Sequence, residues 1–322
     1  MVVSRQFVSL VTERLEMSCL DSESIKHIAE GILNIIKART ISYEDQVCII
    51  RLLLASIYEK EGRIRDAAQA LISINSDATA KFNGPKSASE GSKAQLCIRI
   101  TKLLLDCNEI DEAEQYVNRT SILMVECNNP EITIEHKILQ ARVSDAKRRF
   151  VEAAQKYYEL STIDQIPKSD RITALNKAMV CVLLAKPGVQ RNRLLSLLFK
   201  DERAENFVSF ELIAKMYLTR VISKDELAEF ESLLQPHQKT DEQGESILKG
   251  VIQEHNITAI SQLYTNISMK TLGTLLGVSE DAVNINPMRI WDSQLLTTLE
   301  QVNKVSDLIV ARNPEFAEFL SK

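Results

Sequence analysis

Gly62-Arg63-Ile64-Arg65-Asp66-Ala67-Ala68-Gln69-Ala70-Leu71-Ile72 is the stretch that decides the fold class of this chain. Ile64, Ala67, Ala68, Leu71 and Ile72 fall on one face at helical spacing, and Gly62 breaks the pattern before them. Upstream, residues 44–58 place Val47, Ile50, Leu54 and Ile57 at the same spacing, with Leu53 and Tyr58 widening the stripe. Ser42 stands where an N-cap would, with Asp45 three residues on. Two amphipathic helices around a glycine turn predict a helical hairpin. The small side chains of Ala67 and Ala68 let its two helices approach closely.

The hairpin recurs. Residues 96–105 predict a helix, Cys107-Asn108-Glu109 a turn, and Ile110, Ala113, Tyr116 and Val117 its partner helix. A third copy runs through residues 134–143 and then Phe150, Ala153, Ala154, Tyr157 and Leu160. The second helices start at Ile64, Ile110 and Phe150, offsets of 46 and 40 residues. Helix-pair repeats have units of about 34–47 residues. One pair is too thin to bury its own apolar face, so stacked neighbours must share a core. Between the first two copies, residues 83–92 are small and polar and predict a flexible connection.

Composition agrees with a helical array. The chain has 322 residues, 45% hydrophobic and 26% charged, with nine glycines and seven prolines. That is about half the usual supply of turn residues, too few for the many tight turns of an all-β fold. The net charge of −5 is unlike that of a basic nucleic-acid-binding domain. No run of 18 or more apolar residues predicts a membrane-spanning helix. The first ten residues lack an uninterrupted apolar region, so no signal peptide is expected. Six cysteines, none in a Cys-x-x-Cys pair and most among aliphatic neighbours, read as buried thiols.

Beyond Pro167 the helical pattern continues through residues 174–184, 191–199 and 207–217. Ser223-Lys224-Asp225-Glu226 has the form of a capping box opening a helix through Leu227, Phe230, Leu233 and Leu234. Residues 235–244 are polar and read as a linker, and residues 247–263 are helical again. Ser268 then caps a short helix carrying Met269, Leu272, Leu275 and Leu276, stopped by Gly277. Ser279-Glu280-Asp281 opens another that Pro287 cuts off. From Asp292 to about residue 312, Leu295, Leu299, Val302 and Ile309 follow heptad spacing and predict a helix-packing seam.

Reactive chemistry is not visible. His27, His136, His237 and His255 match no zinc spacing, and no glycine-rich phosphate loop or nucleophile elbow occurs. The expectation is no enzyme activity, no catalytic or metal residues and no cofactor. Two basic clusters, Lys147-Arg148-Arg149 and Lys186 with Arg191 and Arg193, invite a DNA-binding reading when set beside the helix-turn-helix. A recognition helix cut short at Pro287 and flanked by Glu280 and Asp281 argues against it. The clusters read instead as a solvated face or a protein contact.

Several stretches carry a resemblance. They are residues 111–119, 148–157 and 197–203, then Pro236-His237-Gln238, residues 246–248, Ile252-Gln253-Glu254-His255-Asn256 and residues 272–277. Trp291-Asp292, Val302-Asn303 and Pro314-Glu315 extend it to the end. Over residues 40–320 the chain resembles the subunit-4 family of the COP9 signalosome, which are PCI-domain proteins. Proteasome-lid and initiation-factor relatives share the architecture but are less similar.

The resemblance implies a mostly α fold: an α-solenoid of TPR/HEAT-like hairpins, a PCI domain with a winged helix, and a C-terminal helix. It divides the chain into an arm (residues 1–166), a PCI domain (residues 167–290, helical to about 245 and winged-helix from 246) and a bundle helix (residues 291–322). Leu272, Leu275 and Leu276 would form the winged-helix core, and Leu295, Leu299, Val302 and Ile309 the subunit interface. Implied partners are other PCI-domain and metalloprotease-domain subunits and cullin-RING ligases, from which the complex removes Nedd8. Nucleic acid and membrane are not among them. The implied location is cytoplasm and nucleus. One departure stands out: the family continues its recognition helix into a β-hairpin wing, whereas Val283 here runs almost directly to Pro287 and Trp291. The winged helix is thus truncated by roughly thirty residues after its helix-turn-helix.

Overall fold

The computed structural model describes residues 22–37, 43–74, 86–125, 129–241, 244–264 and 267–276, with isolated positions before residue 22. The chain forms two compact units, residues 1–181 and residues 182–322. Among the described residues the structure is helical, with one isolated antiparallel bridge between Thr240 and Ser246 and no named strand.

The first unit holds α1 (Ser22–Ile36), α2 (Glu44–Lys60), α3 (Ile64–Ile72), α4 (Lys86–Asp106), α5 (Ile110–Met124), α6 (Pro130–Ala146) and α7 (Phe150–Thr162). The helix α8 (Lys168–Leu184) contains the division between the units. α2–α3, α4–α5 and α6–α7 are the three predicted hairpins, and their second helices start at Ile64, Ile110 and Phe150 as the spacing required. One apolar core runs through the array: Cys48 and Ala55, then Ala67, Ala68 and Leu71, then Ile98 and Leu104, Ala113 and Val117, and Leu139 and Val143. The helices meet through alanines because only a methyl group fits where their backbones approach most closely. Ala67, Ala113 and Ala153 are all fully buried. α1 adds Ala29 to Ile50 and Leu54 and closes one end.

Each hairpin turn is closed in the same way. Gly62, Asn108 and Arg148 adopt left-handed conformations with φ of 76°, 63° and 58°. The next amide reaches back five residues, Arg63 to Tyr58 O (2.9 Å), Glu109 to Leu104 O (2.9 Å) and Arg149 to Ser144 O (2.9 Å). The left-handed residue itself donates three residues back, to Glu59, Leu105 and Asp145. This is the Schellman closure, which satisfies the last carbonyls of a helix. At the start of α2 the N-cap position falls on Tyr43, not Ser42, and Tyr43 makes no side-chain cap. Ser42 lies outside the described residues.

The connection expected at residues 83–92 is corrected from Lys86 onward, where α4 already begins. Lys, Ala, Ser and Glu after Pro85 carry no helix breaker until Gly91. They extend backward a helix that packing of residues 94–104 already stabilises.

The second unit contains the last residues of α8, α9 (Val189–Phe199), a 3-10 turn (Glu202–Ala204), α10 (Ser209–Tyr217), α11 (Lys224–Leu233), α12 (Pro236–Lys239), α13 (Ile247–Leu263) and α14 (Met269–Leu276). α9 packs on α10, and α13 touches both α12 and α14. Buried Leu194, Leu198, Ile213, Met216, Phe230, Leu248 and Ile252 supply the core. α10 ends in a fourth Schellman closure, with Thr219 at φ 50° and the Arg220 amide on Lys215 O at 2.8 Å.

The linker expected at residues 235–244 is also corrected, over Pro236–Lys239, where α12 forms. Gln235 and Gln238 form a reciprocal capping box around α12, and Gln238 is buried. Asp241 and Glu245 pair by a backbone hydrogen bond of 2.8 Å across Gly244 at φ 80°. Polarity misled here because the polar side chains satisfy the backbone of a compact turn and do not solvate an open chain.

Candidate interaction surfaces

Ion pairs cross the seams between hairpins of the first unit. Arg99 of α4 holds Glu59 of α2 through two hydrogen bonds of 2.9 Å. Lys102 meets Glu135 at 3.2 Å, Arg142 meets Asp106 at 3.2 Å, and Arg65 meets Glu109 at 2.9 Å. At the third turn, Lys147 and Arg149 both hold Glu114 of α5, and Lys147 also reaches Asp111 at 2.7 Å. Lys147 first, then Arg149, pulls the Glu114 carboxyl below its usual range. The acidic pair on α5 raises Lys147 in turn. Two members of the Lys147-Arg148-Arg149 cluster are therefore spent inside the molecule, bolting the turn to α5, and not offered to a phosphate backbone.

The second basic cluster is likewise not a patch. Arg191 is buried; its Nε donates to Val182 O at 3.2 Å, and a terminal nitrogen donates to the Met216 sulfur at 2.8 Å. Burial lowers its pKa to about 10, against the pull of Glu254. Lys186 and Arg193 remain exposed. Spacing could not reveal this, because a long arginine stem packs like an aliphatic chain while its head finds a carbonyl.

A cleft of about 250 Å³ lies between α6 and α7, lined by Lys137, Gln140, Glu152, Gln155, Lys156 and Glu159. Lys156 donates to Ser144 Oγ at 3.0 Å and Gln155 to Glu159 at 3.3 Å, so both signs of charge face the space. Such a surface suits a protein contact better than an anion. His136 is buried on α6, one turn before Gln140, and both meet Ser121 of α5. Ser121 Oγ donates to Val117 O at 3.1 Å and accepts from Gln140 at 3.2 Å, which leaves His136 Nε2, at 3.0 Å, as its second donor. Nδ1 is buried with no hydrogen-bond partner among the described residues. Burial, with Lys156 adding to it, lowers the His136 pKa.

In the second unit the stretch Glu254-His255-Asn256 carries out a task that the sequence reading missed. Asn256 accepts from the Ile222 amide at 2.9 Å and donates to the Ile222 carbonyl at 2.9 Å. His255 Nε2 donates to Arg220 O at 2.9 Å. Burial lowers the His255 pKa, the Arg220 bond raises it, and Arg191 lowers it again. The signal was present in the sequence only as a polar pair on an otherwise apolar helix face. At the start of α11, the Glu226 carboxylate is held down by Lys215 first and by Ser223 as well. This is the returning half of the expected capping box; no side-chain bond from Ser223 caps the helix.

Leu272 packs with Val221 and Ile267 against Ile257 and Ile260. Its helix is capped as expected, the Thr271 amide donating to Ser268 Oγ at 3.2 Å. Leu275 and Leu276 lie on the last turn of α14, and their side chains lie outside what is described. Leu295, Leu299, Val302 and Ile309, the helix expected over residues 292–312 and the wing region around Pro287 also lie outside the described residues. Among the described residues no three His, Cys, Asp or Glu side chains gather as metal ligands, and no helix is long and apolar enough to cross a membrane. Cys48, Cys97, Cys107 and Cys181 form no disulfide among the described residues.

Two family models match the chain: PSMD12/CSN4, N-terminal, over residues 1–169, and PCI domain over residues 207–286. The COP9 signalosome complex subunit 4 of Caenorhabditis elegans is 71% identical over 349 residues, covering all of this chain and 85% of that protein. The Drosophila melanogaster subunit 4 is 36% identical over 349 residues, covering all of this chain and 84% of its own. The Arabidopsis thaliana subunit 4 is 36% identical over 343 residues, with 95% and 85% covered. In the first two, 349 aligned positions against 322 residues leave 27 with no counterpart here. With the hairpin array beneath the first model and the latched helices beneath the second, the chain belongs to the COP9 signalosome complex subunit 4 family.

Proposed function

We propose that the chain is a non-catalytic scaffold subunit of a COP9 signalosome, the complex that removes Nedd8 from cullin-RING ubiquitin ligases. The observation that carries this is 71% identity, across the whole chain, to a protein named as that complex's subunit 4. The geometry supports it: three stacked hairpins closed by identical turns make a long framework, with charged side chains used to bolt neighbours together. In this reading the arm meets the cullin-RING substrate, and the PCI region and the heptad segment Leu295, Leu299, Val302 and Ile309 join other PCI and metalloprotease subunits. The chain itself then needs no metal or cofactor, and it works in cytoplasm and nucleus. The 27 unmatched positions agree in number with the roughly thirty residues read as missing between Val283 and Trp291; in this reading the terminal segment carries more of the assembly.

Affinity capture of the tagged chain with mass spectrometry tests this. Co-purification of PCI-domain subunits, the metalloprotease subunit and cullins is expected; their absence would overturn the reading. A second reading, a subunit of the proteasome lid, is favoured by the shared PSMD12/CSN4 arm model, and co-sedimentation with proteasomes would establish it instead. Binding to a DNA duplex with steep salt dependence would support a helix-turn-helix DNA-binding role. Occupation of Lys147, Arg149 and Arg191 within the fold argues against that outcome.

A further inference from the structure

We infer that Asn256 is a positioning residue for assembly, and that the connection between α10 and α11 is a splint that sets the place of α14. The inference rests on the assembly role proposed above. The connection begins at a strained residue, Thr219, whose φ of 50° is costly for a β-branched side chain. The Schellman bonds hold Thr219 itself to α10. Three hydrogen bonds from α13 hold the residues that follow. His255 takes Arg220 O, and Asn256 grips both the amide and the carbonyl of Ile222, as a neighbouring strand would. Ile222 and Asn256 are both buried, so either broken bond leaves a desolvated backbone group.

Between the two gripped residues sits Val221. Its side chain joins Ile257 and Ile260 of α13, together with Ile267 and Leu272, in one small apolar cluster. Leu272 is the described apolar contact of α14 in that cluster, and α13 is the described helix that α14 meets closely. The polar grip on 220 and 222 therefore fixes a valine that fixes α14. α14 is the first helix of the helix-turn-helix and the element that leads onward to the docking segments of the sequence. Losing the grip would free α14 while leaving the core of α9, α10 and α11 intact.

The test uses the full chain and the assembled complex. In Asn256→Ala, hydrogen exchange of residues 269–276 in the isolated chain should rise about tenfold, with the arm helices at wild-type rates. In the complex, labelled wild-type chain should displace Asn256→Ala about tenfold faster than it displaces unlabelled wild type. Leu195→Ala, a core truncation of the same unit outside the latch, is the control. Residues 269–276 exchanging no faster in Asn256→Ala than in Leu195→Ala at matched loss of melting temperature would overturn the splint. Faster local exchange with unchanged displacement would overturn the docking role. Should Asn256→Ala not fold, Val221→Ala keeps the polar grip and must still accelerate residues 269–276; wild-type rates there would overturn the inference. A wild-type chain that enters no complex at all is a separate result, and it counts against the assembly reading.

Discussion

At the scale of single residues, four left-handed positions end four helices, and their side chains differ. Gly62 bears φ 76° without strain, whereas Thr219 at φ 50° carries a branched Cβ in a region that disfavours it. Thr219→Gly should therefore stabilise the second unit by about 1 kcal/mol, and Gly62→Ala should destabilise the first by a similar amount. Chemical denaturation followed by hydrogen exchange would assign each change to its unit. The two buried histidines set a pH dependence. Both His136 and His255 have lowered pKa values in the folded chain. The unfolded chain thus takes up protons first, near the ordinary value of about 6.5. Stability is complete above that value and falls as the solution is acidified below it. Melting temperatures between pH 7.5 and 5.5 should drop for wild type, and His136→Gln should flatten the part of the slope that belongs to the first unit.

At the scale of elements, the third turn is bolted to α5 through Glu114, and the bolt is partly screened: side-chain exposure is 26% for Glu114, 23% for Lys147 and 42% for Arg149. Glu114→Gln should cost about 0.5–1 kcal/mol at low ionic strength and much less in 1 M salt. The lowered Glu114 pKa means that this contribution is present above the ordinary carboxyl range and is lost as pH falls through the folded value. Urea titrations at two salt concentrations would measure it. The hairpins that the bolt joins were legible in advance, because Ile64, Ile110 and Phe150 each open an alanine-bearing stripe that only a close helix pair can bury. The polar elements were not. Residues 86–92 and 235–240 lack apolar periodicity, so their structure depends on an adjoining helix in one case and on Gln235 and Gln238 capping each other in the other. Arg191 and Asn256 were invisible for a related reason. A buried polar side chain is defined by the backbone group it satisfies, here Val182 and Ile222, and that partner is set by the tertiary fold.

At the scale of the whole molecule, the proposed scaffold separates a framework from its attachment. The arm's core cluster from Cys48 to Val143 lies within residues 1–181, so its folding should survive damage to the docking end. The heptad residues have the opposite character: as a seam for other chains, they would matter little to the arm and much to assembly. Changing Leu299 and Val302 to Asp together tests this separation. Each apolar side chain buried in a bundle contributes about 1.5–3 kcal/mol, and each carboxylate forced into the seam adds a further penalty unless it finds a partner. Together they should reduce incorporation into the complex by several hundredfold at least, since each 1.4 kcal/mol is a factor of ten. The arm should keep its wild-type melting transition and hydrogen-exchange protection. Incorporation at the wild-type level would show that the segment is not the attachment, and the latched α14 region would become the leading docking surface. Loss of the arm's transition would show instead that framework and attachment fold as one body.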